Sequence, residues 1–167
     1  MQIQQKIGNI NAFNLANRDI DWLQLEWFES NKRILRKKTN AGTEIIFRSL
    51  DKDPEFTDGD ILYADAEKLV VIKIKPCEAI VIIPASAFEM AAVCYEIGNK
   101  HLPLFYGNNE LLVPFELPLF RLLSSLGYDV KQEQRKLLQG LKTTVAPHSL
   151  INKETVFSTI QKITTND

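Results

Sequence analysis

The sequence has 167 residues, of which 45% are hydrophobic and 25% charged, with a net charge of −1 and a pI near 6.2. These values are typical of a globular protein and exclude the strongly basic field of many nucleic-acid-binding domains. The amino terminus lacks the apolar core of a secretory signal, and the longest apolar-rich stretch, 79–87, is far shorter than the roughly 20 residues of a membrane helix. We therefore expect a cytoplasmic protein that binds neither nucleic acid nor membrane.

The first part of the chain predicts short strands separated by turns. In DWLQLEWF, the apolar residues Leu23, Leu25 and Trp27 alternate with polar residues, which is the period of a half-buried strand. The next two strands flank the turn residues of 40–42, and a further turn is predicted at 58–60 before the β-branched run KLVVIKIK. This spacing indicates a small β-barrel or a β-sandwich.

The pattern changes to alternating strands and helices after Pro76. A strand in AIVIIPAS precedes one helix, strands in LPLFYG and ELLVPF form a hairpin, and a second helix begins at Pro118 and ends at Gly127. The segment DVKQEQRKLLQ fits either a last strand or more helix. With a strand there, the order is βαββαβ, the ferredoxin-like plan.

We therefore predict an α+β protein in which a small all-β domain precedes a ferredoxin-like domain. The predicted boundaries are 1–76 for the β-rich domain, 77–141 for the ferredoxin-like domain and 142–167 for a flexible C-terminal tail rich in Thr, Ser and Asn. The fold by itself does not decide function, because this plan hosts many unrelated activities.

The first predicted helix has both of its ends marked. Ser86 and Glu89 have the spacing of a reciprocal N-terminal cap, and Gly98 or Asn99 is predicted to take the left-handed conformation that ends the helix. Pro103 prevents the helix from resuming. Between these ends, four apolar residues share a stripe at helical spacing: Phe88, Ala91, Ala92 and Tyr95.

No catalytic motif is present, so we predict that the protein is not an enzyme. The sequence has no nucleophile–base arrangement, GxSxG motif or P-loop, and the spacing of Cys77 and Cys94 matches neither a redox pair nor a zinc cluster. The acidic stretch DKDPEFTDGD lacks the glycine and glutamate spacing of a calcium loop. A basic run on an early strand indicates either a charged sheet edge or a surface for an acidic partner: Lys32, Arg33, Arg36, Lys37 and Lys38.

His101 is the residue that these patterns leave unexplained, because it follows directly on the end of the first helix. A single imidazole cannot make a specific metal site, since divalent transition ions take four to six ligands. A twofold dimer would place two copies of His101 side by side at its axis. Such a site would be open and exchangeable, as a metal carrier requires, whereas a structural zinc site is closed.

Three stretches of the sequence resemble the urease accessory protein UreE family of nickel metallochaperones. They are DWLQLEWFESNKRILRKKTNAGTEI, DGDILYADAEKLVVIKIKPCEAIVI and CYEIGNKHLPLFYGNNELLVPFELPLFRLL, of which the YEIGN-x-H motif is the most specific. The resemblance covers the chain from about Ile7 to Ser149. It implies an N-terminal peptide-binding domain, a C-terminal ferredoxin-like metal-binding domain and a homodimer formed through the latter.

The resemblance also implies the site, its cargo and its partners. It implies that His101 is the Ni2+ ligand shared at the dimer axis and that His148 in the tail adds a ligand. Zn2+ or Cu2+ would compete, because the Irving–Williams order gives no advantage to Ni2+. The implied role is delivery of nickel to the apo-urease complex through the GTPase accessory protein UreG.

The sequence departs from the resemblance in its tail. Many members end in a histidine-rich tail that stores nickel, whereas no histidine follows His148 here. We therefore expect delivery without bulk storage. The alternative function is a metal-independent adaptor that assembles a multiprotein complex, and a nickel titration separates the two. RNA binding is disfavoured, because Phe105 and Tyr106 are adjacent and do not alternate as the aromatic residues of an RNA-binding sheet do.

Overall fold

The computed structural model describes residues 1–15, 17–51 and 54–141. His148 and the predicted tail, 142–167, lie outside the described residues. No helix in the described ranges is long and apolar enough to cross a membrane.

The N-terminal half is built from strands and two 3₁₀ turns, at Ile10–Ala12 and Trp27–Glu29. The strands are β1 (Gln2–Ile3), β2 (Gly8–Asn9), β3 (Asp19–Leu25), β4 (Ile34–Lys38), β5 (Glu44–Arg48), β6 (Asp60–Ala64) and β7 (Lys68–Ile74). They form one sheet in the order β1-β5-β4 and a second in the order β2-β6-β7-β3. Of the two predicted architectures, the sandwich is therefore the one that forms.

The core of this half lies between the two sheets. Leu35 and Phe47 from the first sheet pack with Leu23, Val70 and Ile72 from the second, and all five side chains are buried. The alternating apolar pattern creates this core, because residues two apart on a strand point to the same face. The predicted hairpin is confirmed: β4 pairs antiparallel with β5 across a turn that contains a glycine at positive φ.

Trp27 does not continue the strand as the alternation predicts. β3 ends at Leu25, and Trp27 begins a 3₁₀ turn that the Glu29 carboxylate stabilises by accepting a hydrogen bond from the Glu26 backbone N–H at 2.9 Å. The turn re-aims the indole toward the second half of the molecule. There it contacts Phe105 edge-on, with 5.6 Å between ring centroids.

The C-terminal half has the predicted βαββαβ order. Its elements are β8 (Cys77–Ile82), α1 (Ala87–Asn99), β9 (Phe105–Gly107), β10 (Glu110–Pro114), α2 (Leu117–Ser125) and β11 (Val130–Arg135). The segment that the sequence left open is thus a strand. All pairings in the sheet are antiparallel, in the order β11-β8-β10-β9. The α+β fold class with a ferredoxin-like second domain is confirmed.

Each face of this sheet is covered differently. One face packs under both helices, where Val93 and Ile97 of α1 meet Ile80 and Val113 of the sheet. The other face carries Ala79, Val81 and Leu112 and packs against Trp27 of the N-terminal half. An ion pair between Lys136 and Asp58, at 2.7 Å, adds a second link between the halves. The sheet is therefore buried on both faces.

The apolar stripe predicted on α1 faces solvent and not the core. Phe88 is 82% exposed and Tyr95 69% exposed, while Val93 and Ile97 supply the buried face. The stripe and the core face are neighbours on the helix surface and have similar composition, so sequence spacing could not tell them apart. The N-terminal cap is half as predicted: Ser86 Oγ accepts from the Glu89 N–H at 3.1 Å, but the Glu89 carboxylate accepts from Ala85 N–H.

Candidate metal centre at the end of the first helix

His101 itself ends helix α1, and the prediction that Gly98 or Asn99 takes the left-handed conformation was wrong. His101 has φ of +54° and neither of the two predicted residues has positive φ. The His101 N–H donates to Gly98 O at 3.0 Å, and the Leu102 N–H donates to Ile97 O at 3.4 Å. These two hydrogen bonds form a Schellman motif, in which the left-handed residue is usually glycine.

Helix α2 ends in the same motif and uses the expected residue. There Gly127 has φ of +83°, its N–H donates to Ser124 O, and the Tyr128 N–H donates to Leu123 O. A side chain with a Cβ costs about 1 kcal/mol or more in this conformation, although His tolerates it better than most. The chain thus places an imidazole where glycine would be more stable. Local strain of this kind is a signal of function.

The loop that carries His101 is anchored while its imidazole is exposed. Leu102 packs into the core cluster that contains Ile97, as the hydrophobic contact of a Schellman motif requires. His101 lies two residues after Asn99, the last residue of the 13-residue helix, and is exposed to solvent. The partial negative charge at that helix end favours a bound cation. The position therefore offers an accessible nitrogen ligand on an anchored backbone, at a helix end whose partial charge favours cations.

One copy of the described chain does not supply a complete metal shell. Among the described residues there is no group of three or more His, Cys, Asp or Glu side chains that could hold an ion. The thiols of Cys77 and Cys94 are free and half-buried, and burial raises the pKa of both, so each remains protonated at neutral pH. The predicted second ligand, His148, lies outside the described residues.

The exposed stripe on α1 runs along the helix toward His101. Its members repeat at three- and four-residue spacing, and Gly98 near the end of the helix has open space around it. Exposed aromatic side chains grouped on one face indicate an interaction surface. Sequence reasoning identified this stripe but missed its meaning. The signal in the sequence was the pair Ala91 and Ala92 between Phe88 and Tyr95, because small residues beside aromatic ones allow a partner to approach the helix closely.

The acidic turn before β6 is occupied by structural contacts. The Asp60 carboxylate, with the residue 2% exposed, accepts hydrogen bonds from Lys6 Nζ at 2.8 Å, the Thr57 N–H at 2.8 Å and Asn9 Nδ2 at 3.1 Å. Burial raises the pKa of Asp60, but these hydrogen bonds outweigh it and hold the pKa below its ordinary value. Asp58 accepts from the Ile74 N–H and pairs with Lys136. These carboxylates hold the turn in place.

The basic residues on β4 are partly neutralised by carboxylates of β5 and of the 3₁₀ turn that ends at Glu29. Arg36 pairs with Glu44 at 2.9 Å, and Lys37 pairs with Glu29 at 2.6 Å. β4 is an edge strand of its sheet, where charged side chains discourage pairing with other chains. The contacts favour the charged-edge interpretation of this run.

Comparison with known families supports the resemblance noted in the sequence. Residues 3–75 match the N-terminal domain of the UreE urease accessory protein, and residues 71–140 match its C-terminal domain. A urease accessory protein UreE of Flavobacterium johnsoniae is 43% identical over 163 residues, which cover 98% of this chain and 99% of that protein. A UreE of Helicobacter pylori is 37% identical, covering 89% of this chain and 90% of its own.

A third relative is similar over most of the chain. The UreE of Acetivibrio thermocellus is 34% identical over 84% of this chain and 92% of its own length. Each of these proteins is named as an accessory protein of urease, which agrees with the prediction that this protein is not itself an enzyme. Both halves of the fold and the sequence over nearly its whole length lead to the same assignment. The chain belongs to the UreE family of urease accessory proteins.

Proposed function

We propose that the protein is a nickel chaperone that binds Ni2+ between two copies of His101 at the axis of a homodimer. The observation that carries the proposal is the imidazole held in a left-handed conformation at the exposed end of α1, where glycine would be more stable. The free-energy cost of positive φ at His101 is explained if its side chain serves as a metal ligand. The accessory role in urease maturation supports nickel as the cargo.

The dimer that this site requires has a candidate surface in the α1 stripe. Phe88 and Tyr95 lie on the helix that leads into His101, and both are largely exposed in one copy of the chain. An isologous contact across this stripe would bury the aromatic side chains and bring the two helix ends toward the axis. Two imidazoles, together with solvent or tail ligands, then form the exchangeable shell. His148 is proposed to supply such a tail ligand.

The ligand chemistry is compatible with nickel and also with its competitors. Imidazole suits Ni2+, Zn2+ and Cu2+, and raw affinity follows the Irving–Williams order. Selective delivery would therefore depend on which partner accepts the ion. We propose that the accepting partners are the GTPase accessory protein UreG and the apo-urease complex, in the cytoplasm.

The proposed division of labour follows the two halves of the chain. Residues 1–76 form a peptide-binding domain that contacts partner proteins, and residues 77–141 form the metal-binding and dimerisation domain. The helix end of the second half offers the ligand, at His101. The tail, 142–167, contributes His148.

Nickel binding by histidine variants tests the proposal. Equilibrium dialysis at neutral pH should show that His101→Ala loses the tightest nickel site while the dimer and its circular dichroism remain unchanged. His148→Ala should lower affinity or stoichiometry without abolishing binding, because ordering a tail ligand has an entropic cost. Unchanged tight binding in His101→Ala would overturn the assignment. A wild-type protein that ignores nickel would favour the metal-independent assembly adaptor.

A further inference from the structure

An open cleft of about 500 Å3 lies between the two halves of the molecule. One wall comes from the N-terminal half, with Trp27, Phe28 and Pro54. The opposite wall comes from the C-terminal half, with Pro103, Leu104 and Leu141. Phe28 and Leu141 are each 54% exposed. Polar residues also line the cleft, namely Ser30, Asn31 and Glu55. Its exposed apolar side chains form a patch that another apolar segment would cover.

The C-terminal wall of the cleft is also the place where the described chain ends. The Leu141 N–H donates to Leu104 O at 2.7 Å, and Gly140 forms a β-bridge with Phe105. The residues that follow, from 142 on, therefore start at the cleft itself. Any segment that begins there has a far higher local concentration at the cleft than a separate protein has.

The sequence beyond Leu141 contains a segment of suitable chemistry. In TVFSTIQKI, Val156, Ile160 and Ile163 repeat at four- and three-residue spacing, with Phe157 beside them, which is the pattern of one apolar helix face. Residues 142–155 would span about 45 Å when fully extended, so they are long enough for the segment to turn back.

We propose that residues 156–163 of the tail dock in this cleft, with their apolar face against Trp27, Phe28 and Leu141. The occupant is this chain's own segment, since the chain enters the cleft wall immediately before it. Docking closes a loop between Leu141 and residue 156, and His148 lies within that loop. Pro103 and Leu104, in the wall of the cleft, follow two and three residues after His101. Docking therefore restrains the loop that carries His148 to the side of the molecule on which these two residues lie.

The consequence for the metal rests on the proposed function, whereas docking itself does not. When the tail is docked, His148 loses less conformational entropy on binding an ion than it does when the tail is free. The cleft thus sets how much the second histidine adds to nickel affinity.

The test uses full-length, metal-free protein in chelator, in which Trp22→Phe leaves Trp27 as the only tryptophan. Quenching of Trp27 fluorescence by acrylamide reports whether the cleft is covered. The double variant Phe157→Asp with Ile160→Asp should lose protection of Trp27. The matched control, Thr164→Asp with Thr165→Asp, adds the same charge outside the apolar segment and should keep it. Leu141→Asp, on the cleft wall, should reproduce the loss.

Several outcomes would overturn the proposal. Equal quenching in the double variant and its control would mean that the segment does not dock. Protection that increases with protein concentration would mean that a second copy covers the cleft. A separate nickel titration then compares the effect of His148→Ala in the wild-type and docking-deficient backgrounds, and the effect should disappear in the latter. If no variant binds nickel, the quenching result still decides docking, and only the proposed function fails.

Discussion

His101 occupies a backbone conformation that glycine would adopt at lower cost. The Schellman motif at the end of α1 requires positive φ at that position, and the equivalent position of α2 is Gly127. Because both helices belong to one domain and end in the same motif, they form an internal comparison. The two motifs differ in having histidine or glycine at the left-handed position. The free-energy cost of positive φ in α1 therefore comes from the His101 side chain and not from the motif.

The first prediction follows from this comparison. His101→Gly should raise the free energy of unfolding by about 0.5–1 kcal/mol, since glycine adopts positive φ without the Cβ penalty. The same variant should lose the tight nickel site. Urea unfolding of metal-free protein measures the first effect, and equilibrium dialysis measures the second.

Gly127→Ala provides the control of opposite sign. It introduces a Cβ at φ of +83° in the matched motif and should lower stability by about 1 kcal/mol. If His101→Gly were instead destabilising, the imidazole would be making structural contacts that offset its strain, and the argument for a functional residue would weaken.

At the scale of the element, helix α1 has two apolar faces with different roles. Met90, Val93 and Ile97 pack against the sheet, whereas Phe88 and Tyr95 point to solvent. A helix that is apolar on two sides is expected to be covered on both. The second face is therefore the natural contact surface for the proposed dimer.

The second prediction tests that surface. Tyr95→Asp should raise the dimer dissociation constant by about a thousandfold, because an aromatic anchor contributes about 2 kcal/mol and occurs twice in an isologous contact. Sedimentation velocity over a range of concentrations measures the change. Leu50→Asp, at an exposed apolar residue of the N-terminal half, is the control and should leave the dimer intact. A Tyr95→Asp protein that stays dimeric at low concentration would exclude this face.

The turn before β6 carries the third prediction, which concerns Asp60. Its pKa is lowered in the folded state, so its contribution to stability is present above the ordinary pKa of about 4 and is lost as pH falls through the folded value. Asp60→Asn should lower stability at neutral pH by about 1–3 kcal/mol, because it removes the charged acceptor for Lys6 and Thr57.

The pH dependence distinguishes this mechanism from a general effect of the substitution. The difference in unfolding free energy between Asp60→Asn and wild type should begin to shrink below about pH 4 and should disappear once the pH has fallen through the lowered pKa of the folded carboxylate. Asp19→Asn, at an exposed carboxylate of the same domain, is the control and should leave the unfolding free energy at neutral pH little changed. A constant deficit across the pH range would mean that shape and not charge holds the turn.

At the scale of the whole molecule, the proposed metal site exists only in the assembly. An imidazole binds a metal in its neutral form, and imidazoles ordinarily titrate near pH 6.5, so protons compete with nickel below that value. The fourth prediction is that nickel is released between about pH 7 and pH 5, with affinity falling up to about tenfold per pH unit for each ring and a hundredfold for a pair.

The dimer should persist while the metal leaves, because the α1 stripe contains no group that titrates in this range. Nickel affinity measured by competition with a chelator at several pH values, alongside sedimentation, checks both parts. A flat affinity profile would indicate carboxylate ligands in place of histidines. Dissociation of the dimer in step with nickel release would mean that the ion itself holds the copies together.

Much of the fold follows from local patterns in the sequence. The Asn108–Asn109 hairpin, the Pro118 start and Gly127 end of α2, and the β-branched run of β7 specify their structures through backbone sterics and side-chain period alone. Such signals act over a few residues, so they do not depend on what packs nearby. The same is true of the family resemblance around His101, which residue identities carry.

Other features were decided by tertiary contacts. The strand at 130–135 forms because the edge of β8 is free to pair with it, although its residues are largely polar. Trp27 leaves its strand because Phe105 and the second sheet offer it a place to pack. The stripe of α1 faces outward because Val93 and Ile97, on the adjacent face of the helix, occupy the space over the sheet. The sequence alone determined most of the elements and their order, and its resemblance to a family pointed to the candidate ligand. Only the tertiary structure decided which apolar face was buried and which residue took the left-handed turn, because burial depends on partners distant in the chain.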